Sequence, residues 1–161
     1  MLFEDSASLT PLQKPYARCS KERSHYHNIG IQGEVDLFSI VSFVKPTVLI
    51  GCSGKPGVFS QVIVEKMAQY TERPIIFPLS NPTACSEAKP QDILKWTKNK
   101  ALIATGSPFD DVSVEGKRWP ISQCNNALVF PGIALGVKVS GALRLTKEML
   151  WAACLVLCEE T

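Results

Sequence analysis

The sequence predicts an α/β fold. It would hold a partial parallel sheet of about three strands, flanking helices and two C-terminal helices. Three observations carry this. Three short apolar runs, residues 47–51 (Thr-Val-Leu-Ile-Gly), 74–79 (Pro-Ile-Ile-Phe-Pro-Leu) and 101–105 (Ala-Leu-Ile-Ala-Thr), recur at intervals of roughly 27 residues, the size of a βα unit. None of the runs alternates polar and apolar positions, which is the pattern of parallel strands covered on both faces. Each is followed by turn residues, and helical stretches lie between them.

In chain order, residues 1–34 are polar and read as an irregular lead-in that extends to residue 44 through a short helix. Residues 6–9 followed by Thr10 and Pro11 resemble a helix start, since a hydroxyl cap followed by Pro suits the free backbone donors there. Residues 19–28, with His25 and His27, lack periodicity and read as an exposed loop. Val35, Leu37, Phe38, Val41 and Phe43 give a short helix an apolar face, and Lys45-Pro46 ends it. Residues 45–161 then form the α/β unit. Its first helix spans residues 58–70, with Val62, Ile63, Lys66, Met67 and Tyr70 at helical spacing, and its second spans 91–96. Residues 117–121 read as a short extended piece. Two closing helices follow, about 126–141, rich in Gly and Ala, and 146–160, with Thr146 as cap and Met149, Leu150, Ala153 and Leu157 as buried face.

Composition narrows the function classes. With 17 Lys and Arg against 15 Asp and Glu, a net charge of +2 is too balanced to point to nucleic acid or a membrane surface. No apolar run approaches the roughly 18 residues of a spanning helix. The acidic start Glu4-Asp5 lacks the layout of a signal peptide, so a cytoplasmic location is expected. Cys19, Cys52, Cys85, Cys124, Cys154 and Cys158 are scattered, with no CxxC and no nearby His, and read as buried free thiols rather than a zinc site or disulfide framework.

In open α/β sheets, ligands bind where the loops at the carboxyl ends of the strands converge. Those loops are 51–57 (Gly-Cys-Ser-Gly-Lys-Pro-Gly), 80–83 (Ser-Asn-Pro-Thr) and 106–109 (Gly-Ser-Pro-Phe). They hold almost no acids or bases. Such a site grips a ligand by hydrogen bonds and close backbone approach, and does not move protons unaided. The first loop is no Walker A motif, because Pro56 follows Lys55, and no GxGxxG occurs. Its glycines serve turn geometry or cofactor contact. Asn81 offers a donor and an acceptor to a carboxylate or carboxamide, or serves its own turn. Asn125 and Asn126 precede an apolar helix, as an N-cap or as carboxylate ligands. His25 and His27 lack metal partners at useful spacing, and the acidic pairs Glu4-Asp5, Asp110-Asp111 and Glu159-Glu160 read as solvated.

Residues 45–51, 72–83 (Glu-Arg-Pro-Ile-Ile-Phe-Pro-Leu-Ser-Asn-Pro-Thr), 101–109 and 123–136 (Gln-Cys-Asn-Asn-Ala-Leu-Val-Phe-Pro-Gly-Ile-Ala-Leu-Gly), in this order, closely resemble malic enzyme, in particular its NAD-linked bacterial branch. The likeness extends over roughly 45–160, and residues 9–18 (Leu-Thr-Pro-Leu-Gln-Lys-Pro-Tyr-Ala-Arg) resemble the segment after the family's ribose-binding strand. The resemblance implies the C-terminal part of a Rossmann-type NAD-binding domain in an oxidoreductase. That enzyme passes hydride from malate to NAD, with NADP an alternative, and then decarboxylates to pyruvate with Mg or Mn as Lewis acid. Matching motifs assign Gly51, Ser53 and Asn81 to the cofactor, and Asn81, Asn125 and Asn126 to malate.

The departures are as informative. The family's GxGxxG turn, general-acid Tyr, general-base Lys and metal ligands are expected in segments preceding Met1. Phe3-Glu4-Asp5 does not match the metal motif, and Tyr16, Tyr26, Tyr70 and Lys55 do not align with the catalytic pair. The segment 19–43 departs from the family pattern. No catalytic or metal-ligating residue is therefore assigned, and the chain alone is expected to be inactive. Lacking a first βαβ unit, it is expected to self-associate or to pair with the missing N-terminal part. Two alternatives remain. One is malolactic-type decarboxylation of malate to lactate, and the other is a non-catalytic module that pairs with a full-length malic enzyme subunit.

Overall fold

The computed structural model describes residues 2–6, 9–28 and 35–159. Its centre is a four-stranded parallel sheet, one strand more than the apolar runs predict. The strands are β1 (Val48–Gly51), β2 (Ile75–Pro78), β3 (Leu102–Thr105) and β6 (Ser122–Gln123), in spatial order β1-β2-β3-β6. β6 escapes a hydrophobicity reading because it is two polar residues long; it pairs Ala104 with Ser122 and Thr105 with Gln123. Between β3 and β6 a hairpin of β4 (Val112–Val114) and β5 (Lys117–Trp119) stands apart from the sheet, so the expected extended piece at 117–121 is half of a hairpin.

Helices α2 (Leu37–Val44), α3 (Gln61–Tyr70) and α4 (Pro90–Trp96) supply the core. Asp36 caps α2 by accepting from the Ser39 N–H at 2.7 Å, and Lys45 ends it in the left-handed conformation, donating its N–H to the Val41 carbonyl. α4 starts at Pro90, where the missing N–H costs nothing. Val41, Phe59, Ile63, Val64, Met67, Ile76 and Ile93 are buried together, with Leu49 and Ile103 packed against them. On α3 the buried stripe is Ile63, Val64 and Met67; Val62 and Tyr70, read from spacing as part of it, are exposed. Tyr70 instead lies under the Lys45 and Lys66 ammonium groups, 4.7 and 5.1 Å from its ring centre.

Strand register explains which apolar residues are served. Leu49, Ile76 and Ile103 stand in one row on the helix-covered face. Val48 pairs with Ile75 and Ile75 with Leu102, a row on the opposite face, with Ile50 next along β1. Val48, Ile50 and Leu102 are 42%, 57% and 40% exposed. The expectation of strands covered on both faces is therefore met on one face only among the described residues.

The lead-in differs from its sequence reading. Residues 22–28 form helix α1 (Glu22–Asn28) rather than a loop, held by Arg18–Glu22 (2.8 Å) and Arg23–Asp5 (2.7 Å) ion pairs over a small core of Phe3, Tyr26 and Val35. Tertiary contact, not periodicity, makes this helix. Thr10 opens only a turn, its N–H bonded to Gln13 Oε1, followed by a three-residue 3-10 segment, Lys14–Tyr16, because Pro15 removes the donor a longer helix needs. Residues 7–8 of that expected helix start, 29–34 of the lead-in, and Glu160 of the last acidic pair lie outside the described residues.

The two closing helices, α5 (Phe130–Ser140) and α6 (Lys147–Glu159), form as the sequence predicts, and Thr146 caps α6 through the Met149 N–H at 3.3 Å. They pack on one another, yet neither has a buried residue. Met149 and Ala153 are half-buried toward α5, whereas Leu150 and Leu157, the rest of the expected buried face, are 41% and 39% exposed. The cysteines are free thiols as expected, but Cys85 is half-buried and the other five are exposed, two of them on α6. No helix among the described residues is long and apolar enough to cross a membrane.

Candidate functional site

Because β1, β2, β3 and β6 are parallel, their carboxyl ends deliver four loops to one edge of the sheet. These begin at Gly51, Leu79, Gly106 and Cys124, and backbone bonds step across them. The Leu79 N–H donates to the Gly51 carbonyl at 2.9 Å, Gly106 N–H to Pro78 at 3.2 Å, and Cys124 N–H to Thr105 at 2.8 Å. Gly106 is obligatory: a Cβ there would lie 2.0 Å from the Leu79 carbonyl oxygen.

The polar side chains on this edge divide into satisfied and available groups. Asn125 is satisfied. Its Nδ2 donates to the Gly106 carbonyl at 2.8 Å, and its Oδ1 accepts from the Ala127 N–H at 2.9 Å, capping a short 3-10 turn at Asn126–Leu128. The capping alternative thus accounts for both of its polar atoms. Asn126, one residue on, is exposed and makes no side-chain hydrogen bond to the described residues. Asn81 is exposed on the second loop. Its Oδ1 accepts from Ser107 Oγ at 2.6 Å, and its Nδ2 reaches only the Leu79 carbonyl at 3.4 Å, leaving that amide nitrogen weakly engaged. The Asn81–Pro82 peptide is cis. Gln123 braces the third loop through the Gly106 carbonyl at 3.2 Å.

Beneath the first two loops lies a residue that loop composition did not reveal. Glu87 is fully buried. Its Oε1 accepts from the Ser53 N–H at 2.7 Å, from Ser53 Oγ at 2.9 Å and, in a short bond, from Ser80 Oγ, while Oε2 accepts from the Ser80 N–H at 3.3 Å. Ser80 Oγ in turn accepts from the Gly54 N–H at 2.8 Å. Burial pushes the Glu87 carboxyl upward, but the Ser80 and Ser53 hydrogen bonds outweigh it and hold it below its ordinary value. Gly51 makes room for this acid: a Cβ there would meet Glu87 Cδ at 2.6 Å and Phe59 Cζ at 2.8 Å. Loops with few acids thus rest on a buried one. Glu87 stands seven residues past Ser80 and three before Pro90, where it reads as an ordinary acid ahead of a helix start. Only its tertiary position shows otherwise.

The structure therefore brings Ser53 and Asn81 together with Asn125 and Asn126 along one edge, and turns Gly51 inward toward Glu87. A profile of the family described as "Malic enzyme, NAD binding domain" matches residues 1–161, the whole chain. The chain belongs to the malic enzyme family. "NAD-dependent malic enzyme 2" of Vibrio vulnificus (strain YJ016) is 48% identical over 157 residues, covering 98% of this chain and 28% of its own length. "NAD-dependent malic enzyme" of Shewanella sp. (strain MR-4) is 48% identical over 159 residues, covering 99% of the chain and 28% of its own length. Its namesake from Shewanella oneidensis is 47% identical over the same length. The chain thus spans 28% of the length of the curated malic enzymes it matches.

The other polar groups lie elsewhere. His25 sits on α1, edge-on to Tyr26 and Phe43 at ring-centre distances of 5.9 and 6.3 Å, and both His25 and His27 are exposed. Asp111 pairs with Arg118 across the base of the hairpin, and Asp5 with Arg23. No group of three or more His, Cys, Asp or Glu among the described residues is arranged to hold a metal ion. Among the described residues the donor set does not fit the divalent metal that the resemblance implies.

Proposed function

We propose that residues 45–161 form the nicotinamide-and-malate side of an NAD-dependent malate oxidative decarboxylase, with residues 1–44 as its lead-in. The remaining residues of a full-length malic enzyme would supply the catalytic acid, base and metal ligands. The observation that carries this is the line of hydroxyls and amides at the carboxyl ends of four parallel strands, set out for hydrogen bonding rather than proton transfer. Ser53 and Asn81 hold the carboxamide end of the cofactor beside Gly51. The exposed Asn126, next to Asn81's partner loop, takes a malate carboxylate, and Asn125 braces the turn that presents it. When bound, NAD supplies the hydride acceptor. Orientation and exclusion of water are this chain's share of the chemistry.

Incompleteness is the second half of the reading. Edge strand β1 and the open face with Val48, Ile50 and Leu102 need strands and helices that pair and cover, as do α5 and α6. We infer that the chain self-associates or pairs with the missing part of a full-length cytoplasmic subunit. Two measurements test this. NADH formation from malate, NAD and manganese should be absent for the purified chain and present for a full-length malic enzyme control; turnover by the chain would show that an acid, a base and a metal site exist within it. In ¹H–¹⁵N spectra, nicotinamide mononucleotide should shift Ser53, Asn81 and Asn126; shifts confined to α5 and α6 would overturn the placement.

A further inference from the structure

Glu87 is an anomaly that loop bracing does not exhaust. A carboxylate taken fully out of water is costly unless it is paired with a cation or richly hydrogen-bonded. Here every contact is to a neutral donor: Ser53 N–H and Oγ, and Ser80 N–H and Oγ. No Lys, Arg or His among the described residues lies within ion-pair distance of it. Lys55, on the same loop as Ser53, is exposed and donates only its backbone N–H to Ser53 Oγ at 3.2 Å. A polar amide would brace the two loops without placing a charge there.

We infer that Glu87 is the fixed counter-charge of the strand-end site, selecting a cationic aromatic ring, the oxidised pyridinium of a nicotinamide, over its neutral reduced form. This rests on the reading of the site as a nicotinamide pocket. The residue acts through Ser53 and Ser80, so it is a positioning and specificity residue, not a catalytic one. The physics is Coulombic. Its charge lies one hydrogen bond behind Ser80 and the exposed Ser53, on a side chain that is itself buried. A unit positive charge seated on those serines is favoured over a neutral ring of the same shape by on the order of tenfold in affinity. Against the upward push of burial, the Ser80 and Ser53 hydrogen bonds hold the Glu87 carboxyl below its ordinary range and keep it ionised at neutral pH, in accord with this role. The site would hold its substrate cofactor firmly and release the reduced product readily.

The test compares oxidised and reduced nicotinamide mononucleotide on the 161-residue chain and its Glu87→Gln variant, by NMR titration at low protein concentration. Wild type should bind the oxidised form about tenfold more tightly. Glu87→Gln, which preserves shape, should weaken the oxidised form alone and bring the ratio near one. An unchanged ratio in the variant overturns the inference and leaves Glu87 a loop brace, while the nicotinamide pocket stands. Failure of wild type to bind either form overturns the pocket itself, and the inference with it. Should Glu87→Gln not fold, wild type is titrated with cationic 1-methylnicotinamide and neutral nicotinamide. Tighter binding of the cation supports the counter-charge, and equal binding overturns it.

Discussion

The helix-covered face of the sheet and the α5–α6 pair are both rich in apolar residues and opposite in environment. Met67, Val64, Ile76 and Ile93 are all but inaccessible to water. Phe130, Leu135, Val139 and Trp151 are 64%, 62%, 79% and 67% exposed. Apolar periodicity states which residues need burial; it does not state what buries them. On α3 and α4 the partner is the sheet beside them in the same chain. On α5 and α6 the two helices cover only part of each other, lining a groove with Val129, Ile133, Met149, Ala153 and Val156. The first region is a finished core, and the second leaves much of its apolar surface uncovered among the described residues.

The largest expected effect separates these two regions directly. Met67→Ala removes a fully buried side chain and should cost about 2–5 kcal/mol, read as a lower urea midpoint at constant slope. Trp151→Ala, a larger deletion, should change monomer stability by less than about 0.5 kcal/mol, while lowering the proposed self-association, as read by sedimentation. Equal losses from both variants would mean that α6 is packed as a core helix and would break the comparison.

Glycines sharpen it. Gly51→Ala drives a methyl into Glu87 and Phe59 and should cost about 1–3 kcal/mol, with loss of the Ser53 and Ser80 amide protection. Gly136→Ala on α5 meets no atom within 4 Å and should stabilise the helix by about 0.5–1 kcal/mol in thermal unfolding. A destabilising Gly136→Ala in the isolated chain would reveal a partner already seated on α5.

How much of this was legible follows from the same contrast. The βα rhythm, the helix ends at Lys45 and Thr146 and the placement of Asn81 could be read because local signals set them: branched runs, a Pro stop and a hydroxyl cap. β6 was not, because two polar residues earn their strand status from β3 alone. Helix α1 is not legible because the contacts that distinguish it, Arg23 with Asp5 and Tyr26 with Phe3, join residues that lie 18 and 23 positions apart and form only on folding. In the site, amides and glycines were visible as residue types, but Glu87 was not. Its role depends on Ser53, 34 residues earlier, and on the missing Cβ of Gly51. The exposed cysteines failed expectation for the reason that α6 did, since a hydrophobic neighbourhood in sequence is not burial in space.

A smaller effect concerns caps. Asp36 holds the Ser39 N–H at 2.7 Å at the start of α2, which joins the main core to the small one beneath α1. Asp36→Ala should cost about 1 kcal/mol. The Ser39 bonds also hold the Asp36 carboxyl below its ordinary value of 3.8. The contribution is therefore present above that value and lost as pH falls through the lower folded one. Replacement by Asn, which caps without charge, should recover most of the stability and remove the acid dependence.

The pH response of Glu87 gives the last and most local comparison. Its folded carboxyl titrates below the ordinary value of 4.5, so the sign is fixed: it stabilises the fold fully above that value and loses this contribution as pH falls through the folded one. Glu148 at the start of α6 is shifted the same way, by its own N–H and by the Thr146 hydroxyl, but it is exposed and solvent screens it. Acidification from neutral pH should therefore release the Ser53 and Ser80 amides, read by hydrogen exchange, before the first turn of α6 changes. In Glu87→Gln the strand-end loops should lose that acid step while α6 keeps its own. Simultaneous release of both regions in wild type would mean that they unfold as one unit, and that the packed face and the open helices share a stability that their burial does not suggest.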